Sequence, residues 1–302
     1  MAILFKEVFH LPISEGTIDN MLTRFASKIT PIYEQIRHRV SQSKVVGSDE
    51  TGSKVANKKG WFHTWQTTHL TFIAASMNRG YETVKEYFSQ GFQQATLVSD
   101  CWAAQLKTKA HRHQLCIVHL QRELLSFIDA FKEDKWSLEL KVLFDQSIAV
   151  KRLSGSNGLS DDAEIQAIKD RFQLLLDVDE TGKHRKLVAF IKRLRKHRDS
   201  VFVFLDNPQV PYQNNASERA LRMVKVKTKV SGCFRTFEGA VRFAKIRSVI
   251  DTTIKNQQST FDALNLLAKL RASSYKLIYN ALKRKNNTIL YMKYAFVFRY
   301  SI

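Results

Sequence analysis

The sequence predicts a mixed α/β core that opens with a strand meander and is interrupted by a long helical block. Between Lys44 and about Val98, three runs rich in aromatic and β-branched residues are followed by a short helical pattern and a fourth strand-like run. From residue 102 to about 205 the periodicity becomes helical. Asp49 and Asp100 each stand at or just beyond the end of an apolar strand-like run. Glu218 opens a basic amphipathic segment after the loop Val210-Pro-Tyr-Gln-Asn-Asn.

Residues 1–45 read as helical. In Ser14–Ala26 the apolar residues Ile18, Met21, Leu22 and Phe25 fall at i, i+3, i+4 and i+7. This segment reads either as the second helix of a helix-turn-helix or as a packing helix, and periodicity alone favours packing. A second helix, Ile32–Val40, leads into the first strand, where Val45-Val46 runs toward Asp49. Gly60–Thr68 and Leu70–Ala75 follow as strands, with His69 either at a turn or in the middle of one continuous ribbon. Tyr81–Gln90 is helical with Gly91 as its stop signal, and the strand Ala95–Ser99 ends at Asp100. That order excludes a repeated βαβ array. Helices are expected at Leu115–Lys132, Ser137–Leu153, Asp161–Leu176 and His184–Leu205, broken at Gly155-Ser-Asn-Gly158 and near Gly182. After Glu218, Gly232 marks a turn ahead of helices Thr236–Lys255 and Thr260 to about Lys285, and the aromatic end Thr288–Ile302 fits no pattern.

The chain of 302 residues has room for one large domain or two to three small ones, and its 44% hydrophobic and 25% charged composition is that of a folded protein. A net charge of +20 calls for a polyanionic partner, of which nucleic acid is the commonest. Cys101, Cys116 and Cys233 are odd in number and scattered, which implies a reducing interior and supports neither a disulfide framework nor a zinc finger. The first residues lack the features of a signal peptide, and no uncharged apolar run reaches the roughly 18 residues of a membrane span. A cytoplasmic, nucleoid-associated protein with no membrane contact is the expectation.

Phosphodiester cleavage gains from two divalent cations roughly 3.5–4 Å apart. Mg²⁺ takes hard oxygen ligands, and clustered carboxylates repel one another unless a cation neutralises them. Asp49, Asp100 and Glu218 are therefore the candidate metal ligands and catalytic residues, with Mg²⁺ or Mn²⁺, two ions, as cofactor. Each residue also has a plainer reading. Asp49 and Glu50 suit a turn before Gly52, Asp100 suits a cap on the following segment, and Asn215-x-x-Glu218 suits a capping box.

Asp49-Glu50-Thr51, Ser99-Asp100, Leu115-Cys-x-x-His119-x-x-Arg122, Pro211-x-x-Asn214-Asn215-x-x-Glu218-Arg219-Ala-Leu-Arg222 and Gly232-Cys-Phe-Arg-Thr-Phe-Glu-Gly-Ala240 together resemble the insertion-sequence-66 family of bacterial transposases. The resemblance covers about residues 10–270. It implies an RNase H-like mixed-sheet catalytic core over residues 44–270, with a mostly helical insertion at about 103–208. It also implies a helix-turn-helix remnant at 1–43 and leaves a helical, aromatic tail at 271–302. The implied activity is that of a DDE transposase. It cleaves transposon ends with Asp49, Asp100 and Glu218 as the metal-binding triad, and transfers the 3′-hydroxyl strand into target DNA as a homo-oligomer. Members of the family carry more N-terminal sequence than this chain, so the alternative is a truncated or inactive remnant that only binds DNA.

Cys116-x-x-His119 reads either as a buried structural pair or as a site in which His119 contacts the scissile phosphate. Asn214 and Asn215 are further accessory candidates beside Glu218. Arg219, Arg222, Lys225, Lys227 and Lys229, followed by Arg235, form a basic run nearly free of acidic residues and suited to tracking DNA phosphates. The block Lys183–Arg198 offers a second contact region. Trp102 reads as core packing or, less readily, as a base-stacking residue.

Overall fold

The computed structural model describes residues 2–157 and 162–269. The chain forms two compact units. One comprises residues 2–41, Glu50–Arg79 and the described residues from Ala220 onward; the other comprises Gln42–Asp49 and the described residues of Gly80–Arg219.

Three helices open the chain: α1 (Ala2–Phe9), α2 (Glu15–Lys28) and α3 (Thr30–Ser41). The expected helix at Ser14 is there because the Ser14 side chain accepts from the Thr17 backbone N–H, satisfying one orphan donor of the first turn. Strand β1 (Val45–Val55) is longer than the sequence implied. Ala56 and Asn57, both at positive φ (47° and 63°), turn the chain tightly into β2 (Lys58–Gln66). Asp49 therefore lies inside a strand and not at its end, and Gly52 is a strand residue opposite the Trp61 ring, not a turn residue. β2 pairs antiparallel with β3 (Thr71–Ser76), from Trp61↔Ser76 to Gln66↔Thr71. The stretch around His69 is a turn, with Thr67 N–H bonded to Leu70 O at 2.9 Å.

Helix α4 (Tyr81–Tyr87) and β4 (Phe92–Ser99) follow, but the helix ends at Tyr87 with its C-cap at Phe88, short of the expected Gln90 and Gly91 stop, and the strand begins at Phe92 rather than Ala95. Helix α5 (Ala103–Lys107) and strand β5 (Ala110–Leu115) replace the beginning of the expected helical block. Ala-His-Arg-His-Gln-Leu carries no β-branched residue. Its strand conformation comes from the parallel ladder with β4 (Thr96↔Arg112 through Ser99↔Leu115), because pairing outweighs intrinsic preference. The strands hydrogen-bond in the order β3-β2-β1-β4-β5. The sheet is mixed, with β1 parallel to β4 and β4 parallel to β5.

The helices that follow are α6 (Ile117–Ala130), α7 (Lys135–Asn157), α8 (Asp162–Leu176) and α9 (Arg185–Lys196). Gly155, expected at a break, continues α7, while Gly182 turns the chain at φ +76°. The single helix expected over His184–Leu205 is three pieces: α9, a 3-10 turn (Arg198–Ser200) and α10 (Val203–Asp206). Buried Gln114 accounts for the break. Its amide donates to Val201 O (2.8 Å) and its oxygen accepts from Phe204 N–H (2.8 Å), so these backbone groups bond to β5 and not to a helix. Helices α11 (Asn215–Ser231), α12 (Phe237–Lys255) and α13 (Thr260–Lys269) complete the described chain; the expected extension of the last to Lys285 and the tail at 271–302 lie outside the described residues.

Each unit has its own apolar core. In the first, Val55, Phe62, Ile73, Leu221, Val224, Phe234 and Ala244 pack together. The last strand on that side, β3, is covered by α12: Ser248 and Thr252 hydroxyls accept the Ile73 and Thr71 N–H groups at 2.8 and 3.1 Å, bonds that occupy those edge donors. In the second unit, Val98, Leu115, Leu120, Phe144, Phe172, Phe190, Phe204 and Val210 belong to one core that joins β4 and β5 to the helical insertion. Among the described residues no helix is long and apolar enough to cross a membrane.

Candidate active site

Asp49, Asp100 and Glu218 all belong to the second unit. The parallel register of β1 on β4 runs Val45↔Thr96, Val46↔Leu97, Gly47↔Val98. Asp49 and Asp100 each lie two residues beyond the last pair of that ladder, Asp49 still within β1 and Asp100 just past the end of β4. Asp100 is the first residue after β4. Its Oδ1 accepts the Trp102 N–H at 3.0 Å, a turn that leads into α5, whose N-cap is Trp102. The capping alternative is thus partly realised, at the expense of one oxygen of a group able to accept about four hydrogen bonds.

Glu218 lies in the first turn of α11. The expected alternative of an Asn215–Glu218 capping box is not formed. Asn214 flanks the helix and its carbonyl accepts the N–H groups of Ser217 (3.0 Å) and Glu218 (3.3 Å), while Asn215 Nδ2 donates to Gln213 Oε1 at 2.7 Å. The Glu218 carboxylate faces α6, with Oε1 3.4 Å from His119 Nε2 and 3.7 Å from Arg122 Nη1. About a third of the Glu218 side chain remains exposed, so the Arg122 contact is a weak ion pair that water and ions can compete for.

Cys116 and His119 do not act as one buried pair. Cys116 is buried at the N-cap of α6 and accepts the Asn214 N–H at 3.3 Å. Burial pushes its thiol pKa up, while N–H groups from His119, Asn214 and Val118 pull the other way. His119 is one turn into the helix and partly exposed beside Glu218.

Asn214 is 2% exposed and does more than flank α11. Its Nδ2 donates to Ser48 O at 2.7 Å, its Oδ1 accepts from Ser217 Oγ at 2.6 Å, and its N–H reaches Cys116. Ser48 in turn donates its hydroxyl to Gln105 Oε1 at 2.8 Å. The residue pattern did not single out Ser48 or Gln105; the one signal available was a small polar residue directly before Asp49.

Three carboxylates form a hard-oxygen donor set of the kind Mg²⁺ and Mn²⁺ take, which fits a divalent cation in chemistry. As the side chains stand, no three His, Cys, Asp or Glu among the described residues converge closely enough to hold an ion, and Glu218 is turned to His119 and Arg122.

Arg219, Arg222, Lys225, Lys229 and Arg235 are all exposed, and none forms an ion pair among the described residues; Lys227 lies over the Phe234 ring at 5.4 Å. The second basic block is largely engaged internally. Lys183 pairs with Asp134 (2.9 Å), Lys192 with Glu180 (3.3 Å), Arg193 with Glu123 (2.5 Å) and Arg195 with Glu180.

Comparison with curated proteins found no match. A sequence model described as "Transposase IS66 family" matches residues 1–242, which include all three carboxylates, the Asn214-Asn215 element and the whole sheet. The five-stranded mixed sheet with its helices is the RNase H-like arrangement that the resemblance implied. The chain belongs to the IS66 family of DDE transposases.

Proposed function

We propose that this chain cleaves DNA at transposon ends and joins the freed 3′-hydroxyl to target DNA, with Asp49, Asp100 and Glu218 as the residues that hold two divalent cations. The observation that supports the reading is the parallel β1–β4 ladder: Asp49 in β1 and Asp100 just past the end of β4 each follow its last pair by two residues, in the same unit that carries Glu218 at a helix start. When bound, the cations would supply an activated attacking oxygen and charge compensation for the leaving oxygen.

The chain's own residues contribute the rest. Asp49 is carried within β1, and Asp100 is tied by its turn to Trp102, so the backbone at both would be set before any ion arrives. His119 and Arg122 orient the Glu218 carboxylate, and with that carboxylate given over to a cation the two side chains would be available to DNA phosphate. Arg219, Arg222, Lys225, Lys229 and Arg235 track the phosphate backbone, with Arg219 and Arg222 spaced to share one helix face. On this reading the catalytic core spans 44–270, the partner is DNA, and the working form is an oligomer assembled on it in the cytoplasm.

The test is joining of a labelled, pre-cut oligonucleotide bearing the element's end into plasmid DNA, in Mg²⁺ or Mn²⁺. Asp49→Asn, Asp100→Asn and Glu218→Gln are each expected to lower joining on the order of a thousandfold or more, since members of a catalytic unit fail together. Undiminished joining by any of these folded variants refutes the assignment. Intact DNA binding with no joining by the native chain establishes the other reading, a DNA-binding remnant, which the present turn of Glu218 toward His119 and Arg122 favours.

A further inference from the structure

The carboxylates come from three separate segments, and a sheet ladder by itself ties together only two of them. We infer that Ser48, Gln105 and Asn214 are positioning residues that fix the third segment to the first two. The inference rests on the reading of the site given above.

Ser48 is the residue before Asp49 and is fully buried, with its side chain on the opposite face of β1. Two hydrogen bonds hold it. Its hydroxyl donates to Gln105 Oε1 (2.8 Å), and its carbonyl accepts from Asn214 Nδ2 (2.7 Å). Gln105, 1% exposed, lies on α5, and its N–H is bonded to Trp102 O (3.0 Å); the Trp102 N–H is in turn held by the Asp100 carboxylate (3.0 Å). A continuous polar chain therefore runs from Asp100 through Trp102 and Gln105 to Ser48. On the other side, Asn214 connects Ser48 to the start of α11, where its carbonyl accepts the Glu218 N–H, and to Cys116 at the head of the helix carrying His119 and Arg122. Every segment that supplies a carboxylate or a cationic neighbour of Glu218 thus reaches Ser48 or Asn214, directly or, for Asp100, through Trp102 and Gln105.

Burying polar side chains gains little net stability over apolar groups of the same shape, because the water hydrogen bonds given up nearly offset the new ones. What directional bonds add is a single arrangement, whereas apolar contacts tolerate sliding. Metal ligands must be held within about 0.5 Å of their working positions, and second-layer hydrogen bonds are the usual means.

Ser48→Ala, Gln105→Met and the double variant Ser48→Ala/Gln105→Met separate positioning from mere folding. Each single change breaks the buried Ser48–Gln105 hydrogen bond from one side and is expected to lower Tm; the double change removes both groups of that bond and is expected to cost less than the two single changes added together. Mn²⁺ binding to the full chain without DNA, followed by EPR, is expected to stay about tenfold weaker in the double variant, and half-maximal joining to need about tenfold more Mg²⁺. DNA affinity should be unchanged. Native Mn²⁺ affinity in the stable double variant overturns the inference. Should the double variant not fold, Ser48→Cys, with its weak donor, must show an intermediate shift in Mn²⁺ affinity, and native affinity there overturns it equally. The underlying site reading fails separately: in that case Asp49→Asn and Glu218→Gln leave Mn²⁺ binding unaltered, or the native chain binds none.

Discussion

Glu50 follows Asp49 in β1 and, because side chains alternate, turns its carboxylate to the other side of the sheet. There its side chain is 2% exposed, and Arg79 donates to Oε1 through Nε (3.1 Å) and Nη2 (2.9 Å) while its guanidinium lies 4.7 Å from the Trp61 ring centre. The plain turn reading of Asp49-Glu50 missed this division, since neither residue type nor spacing shows which of two adjacent acids will be buried against an arginine 29 positions on. The two kinds of ion pair in the molecule should behave differently. Arg79→Ala leaves a buried carboxylate without its guanidinium and should cost about 3 kcal/mol or more. Arg122→Ala breaks a contact with a Glu218 side chain that is one-third exposed, and should cost less than about 1 kcal/mol. Urea unfolding of both variants checks this, and equal losses would show that burial does not decide the strength of these pairs.

At the level of elements, what the sequence conveyed tracks local signals. Helix α2 was legible because Ser14 and the spacing of Ile18, Met21, Leu22 and Phe25 act within the segment itself. The candidate carboxylates were legible as residues, and the structure bears on their mutual placement through the register of β1 on β4. The length of β1, the existence of β5 and the breaking of the helix after Lys196 were not legible. Each depends on a partner outside the segment itself: β2 across the tight Ala56-Asn57 turn, β4 beside β5, and Gln114 against Val201 and Phe204. Gly91 was read as a helix stop, but α4 already ends at Tyr87 and the constraint on Gly91 is a different one. It sits at φ +65°, and a Cβ there would meet Lys109 O at 2.3 Å, where the chain enters β4 alongside β5. Gly91→Ala combines an unfavourable backbone conformation with a backbone clash and should destabilise by about 1–3 kcal/mol. A thermal melt reads the effect, and an unchanged Tm would mean that the β4–β5 junction yields freely.

For the molecule as a whole, the net charge of +20 raises the question of whether DNA attraction is diffuse or placed. Many cations are already engaged: Arg112 with Asp206, Lys141 with Asp145, Lys192 with Glu180, Arg37 with Glu34 and Arg198 with Asp199. Arg219, Arg222, Lys225, Lys229 and Arg235 form no such pairs among the described residues. Replacing either group of five with Gln lowers the formal charge equally, from +20 to +15, so the two variants differ only in which cations are lost. Binding that releases counterions makes log K fall with log salt by about 0.9 per phosphate neutralised. If the helix carrying Glu218 and the Arg235 segment after it contact phosphates, losing that group should flatten the slope by about 4. Losing the engaged group should flatten it by less than about 1, because those cations have carboxylates as partners already. Fluorescence anisotropy across a salt series measures both slopes. Equal flattening would show that the charge acts in bulk, and would remove α11 and Arg235 from the DNA-contact assignment while leaving the carboxylate site to stand or fall on its own test.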